Sequence, residues 1–197
     1  EDTREFFSQI SYKAKENCYI QPYGDCPLDN ELVGENVYMN LIKMAKKYVY
    51  FTTPYLIISD EMERELTMAV KRGVDVRIIT PGIPDKKAVF EITRSYYEEL
   101  VKAGVRIYEY TPGFMHAKEC ICDDNIAVIG TINLDYRSLY LHFENGVLMY
   151  NCDAINHMKN DFERTMQVSK EVTEEHQKKQ LLKTLSRQQR TQPSNKS

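Results

Sequence analysis

Apolar residues recur along this chain at two spacings, and the alternation between them predicts a layered α/β fold. Between residues 31 and 47, Leu32, Val37, Leu41, Ile42 and Ala45 fall at helical intervals. Lysines gather at the C-terminal end of that stretch, where they complement the helix dipole. Tyr48–Thr53 then reads as a β-branched and aromatic strand stopped by Pro54. Asp60 predicts a helix start, with Glu63 in the capping-box position and Met62, Leu66, Ala69 and Val70 as the buried face. That helix ends in Lys71-Arg72-Gly73 and gives way to a strand over Val74–Ile79. A second unit repeats the plan, with a helix over Asp85–Ala103, Gly104 as its stop, and a strand over Val105–Tyr110. A glycine just past each helix suits the left-handed C-terminal cap. Strands alternating with helices imply parallel βαβ crossovers and an α/β/α sandwich.

After Tyr110 the rhythm changes. Met115–Cys122 and Ile126–Gly130 are separated only by Asp-Asp-Asn, which is turn chemistry, so an antiparallel hairpin is expected and the sheet is mixed. A strand at about 143–150 and a helix at about 153–168 follow. Ahead of all this, a polar lead-in runs to residue 17, and Cys18–Pro22 reads as a short strand closed by a loop rich in Pro, Gly and Asp. The expected organisation is a lead-in over 1–17, one domain over 18–170 and a polar basic tail over 171–197. From His176 onward that tail carries six lysines and arginines, no acids and a small leucine stripe.

Composition narrows the classes. The 197 residues suffice for a real core. A formal net charge of −3 weighs against an extended nucleic-acid surface, since the basic residues collect in the tail. No apolar run is long enough to span a bilayer, and nothing resembles a signal peptide. The chain begins at Glu1 and is expected to be a piece of a longer protein. Its five cysteines are odd in number, match no zinc-finger spacing and read as reduced, buried thiols.

The chemistry concentrates in MHAKECICDDNIAVIGTIN, residues 115–133. With a turn at Asp124-Asn125 and Asp123 facing Ile126, Lys118 is expected opposite Thr131 and His116 opposite Asn133. Opposed residues share a face of a sheet, as do residues two apart on one strand, so the four side chains converge. An imidazole, an ammonium, a hydroxyl and an amide form a donor-rich set suited to a phosphate ester. The imidazole can attack phosphorus or pass a proton, and the lysine adds fixed positive charge. Asp123 lies five residues beyond Lys118, roughly 16 Å along an extended strand. It reads as a turn residue out of reach of the same anion.

HAKECICD at His116–Asp123 matches H-x-K-x4-D, and GTIN at Gly130–Asn133 matches the G-S/T-x-N continuation of the phospholipase D superfamily. SYYEELVKAGVRIYEYTPGFMHAK and GTINLDYRSLYLHFE resemble the C-terminal half of bacterial cardiolipin synthases, over about residues 19–161. The resemblance implies that His116 is one of two reacting histidines, that Lys118, Thr131 and Asn133 bind phosphate, and that Glu144 pairs with the other ring nitrogen of His116. It also places Arg94, Tyr96 and Tyr97 near the active-site cleft. It implies a phosphatidyltransferase that makes cardiolipin and glycerol from phosphatidylglycerol through a phosphohistidine, needing no metal or other cofactor. The complete motif occurs once here. The family likeness therefore implies a partner, either an N-terminal half of the same polypeptide or a second copy. Such an enzyme works on an anionic membrane surface, at the cytoplasmic face of the bacterial cell membrane, with this piece itself soluble. A homodimeric phosphodiesterase or nuclease of the same superfamily and a non-catalytic lipid-binding half are the other readings.

Overall fold

The computed structural model describes residue 11 and residues 13–173. The expectations for the rest of the lead-in and for most of the tail lie outside the described residues. Ten strands and six helices are found among the described residues: β1 Tyr19–Asp25, α1 Val33–Met44, β2 Tyr48–Thr52, β3 Leu56–Ile57, α2 Asp60–Lys71, β4 Asp75–Pro81, α3 Lys87–Ser95, α4 Tyr97–Lys102, β5 Arg106–Tyr110, β6 Glu119–Cys122, β7 Ile126–Gly130, β8 Leu134–Asp135, α5 Tyr136–Tyr140, β9 Glu144–Tyr150, α6 Asp153–Gln167 and β10 Ser169–Val172. Eight strands form one mixed sheet in the order β1-β9-β7-β6-β2-β4-β5-β10, and β3 pairs with β8 in a small second sheet. β2, β4 and β5 are parallel, as the two βαβ units require, and every other neighbour in the large sheet runs antiparallel.

Strand β2 shows how sequence distributes the layers. Successive side chains of YVYFT point to opposite faces. Val49 and Phe51 enter a core with Tyr38, Leu41 and Ile42 of α1, Leu66 of α2 and Leu100 of α4. Tyr48 and Tyr50 enter the other core, where Tyr50 stacks on Phe162 of α6 at 4.8 Å between centroids. Burying one such aliphatic or aromatic side chain is worth about 1.5–3 kcal/mol, so both layers hold the sheet. Gly73 and Gly104 have φ of 89° and 97°, the left-handed conformation expected just past α2 and α4.

Several boundaries differ from the sequence reading. The cap of α2 is Ser59, one residue before Asp60, and its hydroxyl accepts from Met62 N at 3.2 Å. The helix expected over 85–103 is two helices, broken at Tyr96. The short elements β3, β8 and α5 and the edge strand β10 were not expected at all. The hairpin register is also shifted by one. Cys122 pairs with Ile126, so the turn holds three residues, and Asp123 and Asp124 both adopt left-handed conformations with φ of 51° and 65°. Lys118 consequently lies across from Gly130, whose N–H donates to the Lys118 carbonyl at 3.3 Å.

The turn is fixed from outside the hairpin. Asp123 accepts three backbone N–H groups, from Lys46 at 2.7 Å, Lys47 at 2.8 Å and Tyr48 at 2.9 Å. These donors follow α1, which stops at Met44. The Asp123 carboxylate thus joins the end of α1 and the start of β2 to the β6–β7 turn.

Candidate active site

The chain reaches the site at the C-terminal end of the parallel strands. Thr52, the last residue of β2, pairs with Glu119, the first of β6, so residues 114–118 emerge beside the exits of β2 and β4. His116 is exposed there and Lys118 half-buried. Lys118 Nζ lies 3.1 Å from His116 Nδ1 and donates to the His116 carbonyl at 2.7 Å. An ammonium has only hydrogens to offer, so Nδ1 is the acceptor and a neutral ring carries its proton on Nε2. The Phe114 ring sits 5.7 Å from the imidazole.

Burial and the Lys118 charge lower the His116 pKa from 6.5, against an opposing pull from Asp85. Burial also lowers the Lys118 pKa, while Glu144 and Asp135 act in the other direction. Two carboxylates thus act on the lysine, in a set of side chains whose sequence reads as donor-rich. Asp85 itself is pushed up by burial, but hydrogen bonds from the Tyr55 hydroxyl at 2.6 Å and the Lys86 N–H at 2.7 Å outweigh this and hold it low.

Thr131, Asn133 and Glu144 form the adjoining wall. Gly130 is the hinge into it. A Cβ there would stand 2.2 Å from the Asn145 carbonyl oxygen and 2.7 Å from Gly146 Cα, so only glycine lets β7 meet β9 this closely. Glu144 opens β9 with its side chain 8% exposed. It accepts from the Thr131 hydroxyl and from the Ser138 hydroxyl at 2.6 Å, while Ser138 accepts the Asn133 N–H at 2.8 Å. Glu144 therefore organises the Thr131–Asn133 loop, and the hydrogen bonds of its carboxylate go to Thr131 and Ser138. The ring nitrogen of His116 expected to meet it is met by Lys118. Asn133 Oδ1 is buried with no hydrogen-bond partner among the described residues.

Sequence reasoning missed Asp85, Tyr55 and Ser138. Ser138 sits on α5, capped by Asp135, whose carboxylate accepts the Ser138 N–H at 2.9 Å. The sequence D-Y-R-S carries that capping signal. Of the residues on the helix that the family likeness sets near the cleft, Arg94 and Tyr97 serve packing. Arg94 makes a two-pronged ion pair with buried Glu109 at 2.8 and 3.1 Å. Tyr97 is 1% exposed and hydrogen-bonds Thr80 at 2.7 Å. Tyr96 is half-buried and packs against the same core.

Two further H-x-K triplets occur, His157-Met158-Lys159 and His176-Gln177-Lys178, but Arg164 and Lys183 stand where the motif needs aspartate. His157 and Lys159 lie on α6, and Lys159 is engaged with Asp124 at the far end of the sheet. A shallow hollow lined by Lys43, Met44, Lys46 and Arg72 also lies at that end and shares no residue with the His116 cluster. Among the described residues no three His, Cys, Asp or Glu side chains are grouped to hold a metal ion, and no helix is long and apolar enough to cross a membrane. Cys120, Cys122 and Cys152 are buried free thiols, and burial pushes the Cys120 pKa well up.

Solved structures with this architecture define its class. Nuc of Salmonella typhimurium, a phospholipase D family member, aligns with a TM-score of 0.67 at 16% identity, covering 79% of this chain and 99% of that one. The phosphatidylserine synthase of Haemophilus influenzae aligns with a TM-score of 0.60 at 21% identity, covering 87% of this chain and 46% of that one. The fold is the mixed-sheet α/β sandwich of the phospholipase D type. Residues 38–166 match the family described as cardiolipin synthase, PLD-like domain, and the chain belongs to that family. It is 51% identical to an uncharacterized protein of Streptococcus mutans over 91% of this chain and 39% of that protein. It is 40% identical to cardiolipin synthase 2 of Bacillus cereus over 75% of this chain and 29% of that protein. The chain thus spans well under half the length of these curated relatives.

Proposed function

We propose that the chain is one half of a phosphatidyltransferase that moves a phosphatidyl group between two phosphatidylglycerol molecules, giving cardiolipin and glycerol. What supports this reading is the His116–Lys118 pair joined at Lys118 to the Gly130 N–H that opens the Glu144-held loop of Thr131, in a chain 40% identical to a cardiolipin synthase. Lys118 and the Asn133 amide N–H₂ hold the phosphodiester oxygens, while Thr131, whose hydroxyl proton goes to Glu144, keeps the loop in place. A histidine of the partner half attacks phosphorus, and the P–O bond to the leaving glycerol breaks. His116, as the imidazolium formed once Lys118 turns from Nδ1 to the phosphate, gives its Nε2 proton to that oxygen and becomes neutral. It then removes the proton of the incoming hydroxyl as the second phosphatidylglycerol displaces the phosphohistidine. Positioned proton transfer of this kind is worth about 10²–10⁴ in rate. The partner half is the remainder of a longer polypeptide, in keeping with the fraction of its relatives that the chain spans.

The test uses the chain joined to its partner half and phosphatidylglycerol vesicles in EDTA, with cardiolipin and glycerol measured by mass spectrometry. Equimolar products from the native enzyme and their loss in His116→Ala support the assignment. Product formation undiminished by His116→Ala overturns it. The second reading, a homodimeric phosphodiesterase or nuclease, is favoured by the near-complete coverage of the single-unit Nuc chain. Nicking of plasmid DNA in EDTA by the chain alone selects that reading.

A further inference from the structure

Two thiols meet at the end of the sheet opposite His116, outside everything the site uses. β1 begins at Tyr19, which pairs with Tyr150, the last residue of β9. Ahead of β1 the chain still runs beside the stretch that follows β9, since the Glu16 carboxylate accepts the Asp153 N–H at 2.9 Å. Cys18 and Cys152 lie between these two contacts. Cys152 belongs to the core beneath α6, and Cys18 packs against the same core. Asn151 turns the chain with a left-handed φ of 54° and donates its N–H to the Asn125 carbonyl at 2.9 Å, so Cys152 leaves the line of β9 and caps α6. Its sulfur points back at the strands, 3.7 Å from the Tyr19 and Tyr150 carbonyl oxygens. The Cys18 thiol is hydrogen-bonded to it.

The two sulfurs differ in access. Cys152 is 5% exposed, so a reagent in solution reaches it poorly, whereas Cys18 is half-buried with a face open to water. Sulfurs in hydrogen-bonding contact need only side-chain rotation to reach bonding distance, provided the backbones already lie close, and the contacts at Glu16 and Tyr19 hold them so. β1 is also an edge strand, paired with β9 alone, and its far end carries Asp25 opposite Glu144. A covalent tie at Cys18 would therefore fasten the strand that borders Glu144. It would close a loop of more than 130 residues, since Tyr19 and Cys152 stand 133 positions apart.

We propose that Cys18 and Cys152 form a disulfide by exchange with a small-molecule disulfide, and that the bond staples β1 to the start of α6. The Cys18 thiolate attacks one sulfur of the small disulfide, whose S–S bond breaks and releases one thiolate. The Cys152 thiolate then attacks Cys18 Sγ in the mixed disulfide, and the second small thiolate leaves. The two cysteine protons end on the two departing thiolates, and two electrons pass from the protein to the small disulfide. The hydrogen bond with Cys152, burial, and the nearby charges of Cys152 and Glu16 push the Cys18 thiol up to about 11. The pair therefore rests as thiols near neutral pH, and exchange quickens about tenfold for each pH unit below that value. The cross-link holds whichever phosphodiester the site accepts.

The native protein is incubated with excess bis(2-hydroxyethyl) disulfide, quenched with acid, digested and read by mass spectrometry. The expected product is a peptide pair joined through Cys18 and Cys152, two hydrogens lighter than the free thiols and restored by dithiothreitol. It should form about tenfold faster at pH 9 than at pH 8. Cys152→Ser should stop at the mixed disulfide on Cys18, and Cys18→Ser should leave Cys152 unmodified. Cys26 is the internal control: also half-buried, it follows the other end of β1, where Cys152 cannot reach it, and should stop at its mixed disulfide. The cross-linked domain should melt about 4–16 °C above the reduced form. Cys18 ending as a stable mixed disulfide beside a free Cys152 overturns the assignment, as does a cross-link that forms only in urea. Modification of Cys152 in Cys18→Ser overturns the order of attack, and an unchanged melting temperature in the cross-linked protein overturns the staple.

Discussion

Removing the Asp123 carboxylate separates the folding role of the H-x-K-x4-D motif from its chemistry. The side chain accepts three N–H groups, two at exposed positions and one partly buried, at 2.7–2.9 Å. A hydrogen bond to a charged acceptor is worth about 1.5–3 kcal/mol when shielded and nearer 1 kcal/mol in water's reach, so Asp123→Ala should cost about 3 kcal/mol. For a domain of this size each kcal/mol moves the melting temperature by about 2–4 °C, giving a fall of about 6–12 °C. Asp123→Asn keeps an oxygen for Lys47 and Tyr48 but turns an amide N–H₂ toward the Lys46 N–H, so it should lose about half as much. Both variants are followed by thermal and urea unfolding, and turnover is measured well below each midpoint, where it should persist. The reasoning is refuted if Asp123→Ala melts like the native protein, or if it abolishes turnover with its stability unchanged. The second result would place Asp123 in the chemistry, from which the length of β6 now separates it.

Two other outcomes follow from the site. Gly130→Ala drives a methyl into the backbone of β9, which has no flexible end to yield, and should cost about 3 kcal/mol by overpacking; urea unfolding at the native midpoint would contradict this. His116, with its pKa lowered by burial and by Lys118, should titrate below 6.5 in NMR spectra of the native protein and be neutral at pH 7. Lys118→Met removes the cation and should move that midpoint upward, whereas Asp85→Asn should move it downward. No movement in either variant would show that the ring does not feel these charges.

Much of the fold was legible because both crossovers announce themselves. The helical stripes of α1 and α2 and the glycines at 73 and 104 left little choice about the parallel core. The hairpin register was not legible, for a physical reason. Cys120, Ile121 and Cys122 are all buried, because β6 has a core on each face. A strand covered on both sides has no polar alternation to mark its phase. The phase is set by how many residues the turn holds, and Asp123 decides that through donors more than 70 residues earlier. β3 and β8 have two residues each, too few for any periodicity, and hold to one another partly through the Thr53 hydroxyl, which accepts the Leu134 N–H at 3.1 Å. β10 reads Ser-Lys-Glu-Val, an edge strand whose polarity hides it. At the site, the grouping of His116 with Lys118 could be drawn from the motifs, whereas Glu144 was expected at the ring of His116 and its hydrogen bonds go to Thr131 and Ser138. The pairing of Lys118 with Nδ1 could not, since the ring and the lysine belong to residues just outside the ladder.

The four residues of β6 stand between Lys118 and the aspartate that pins the opposite rim, so they act as a ruler cut to the breadth of the sheet, about 13 Å of extended chain. Lengthening or shortening that ruler by one residue would invert a doubly buried strand and pull either the ammonium out of the site or the carboxylate off its three amides. The fixed gap in the motif is on this account a measurement of the protein's girth, and a redesign that alters the gap would have to rebuild both ends at once.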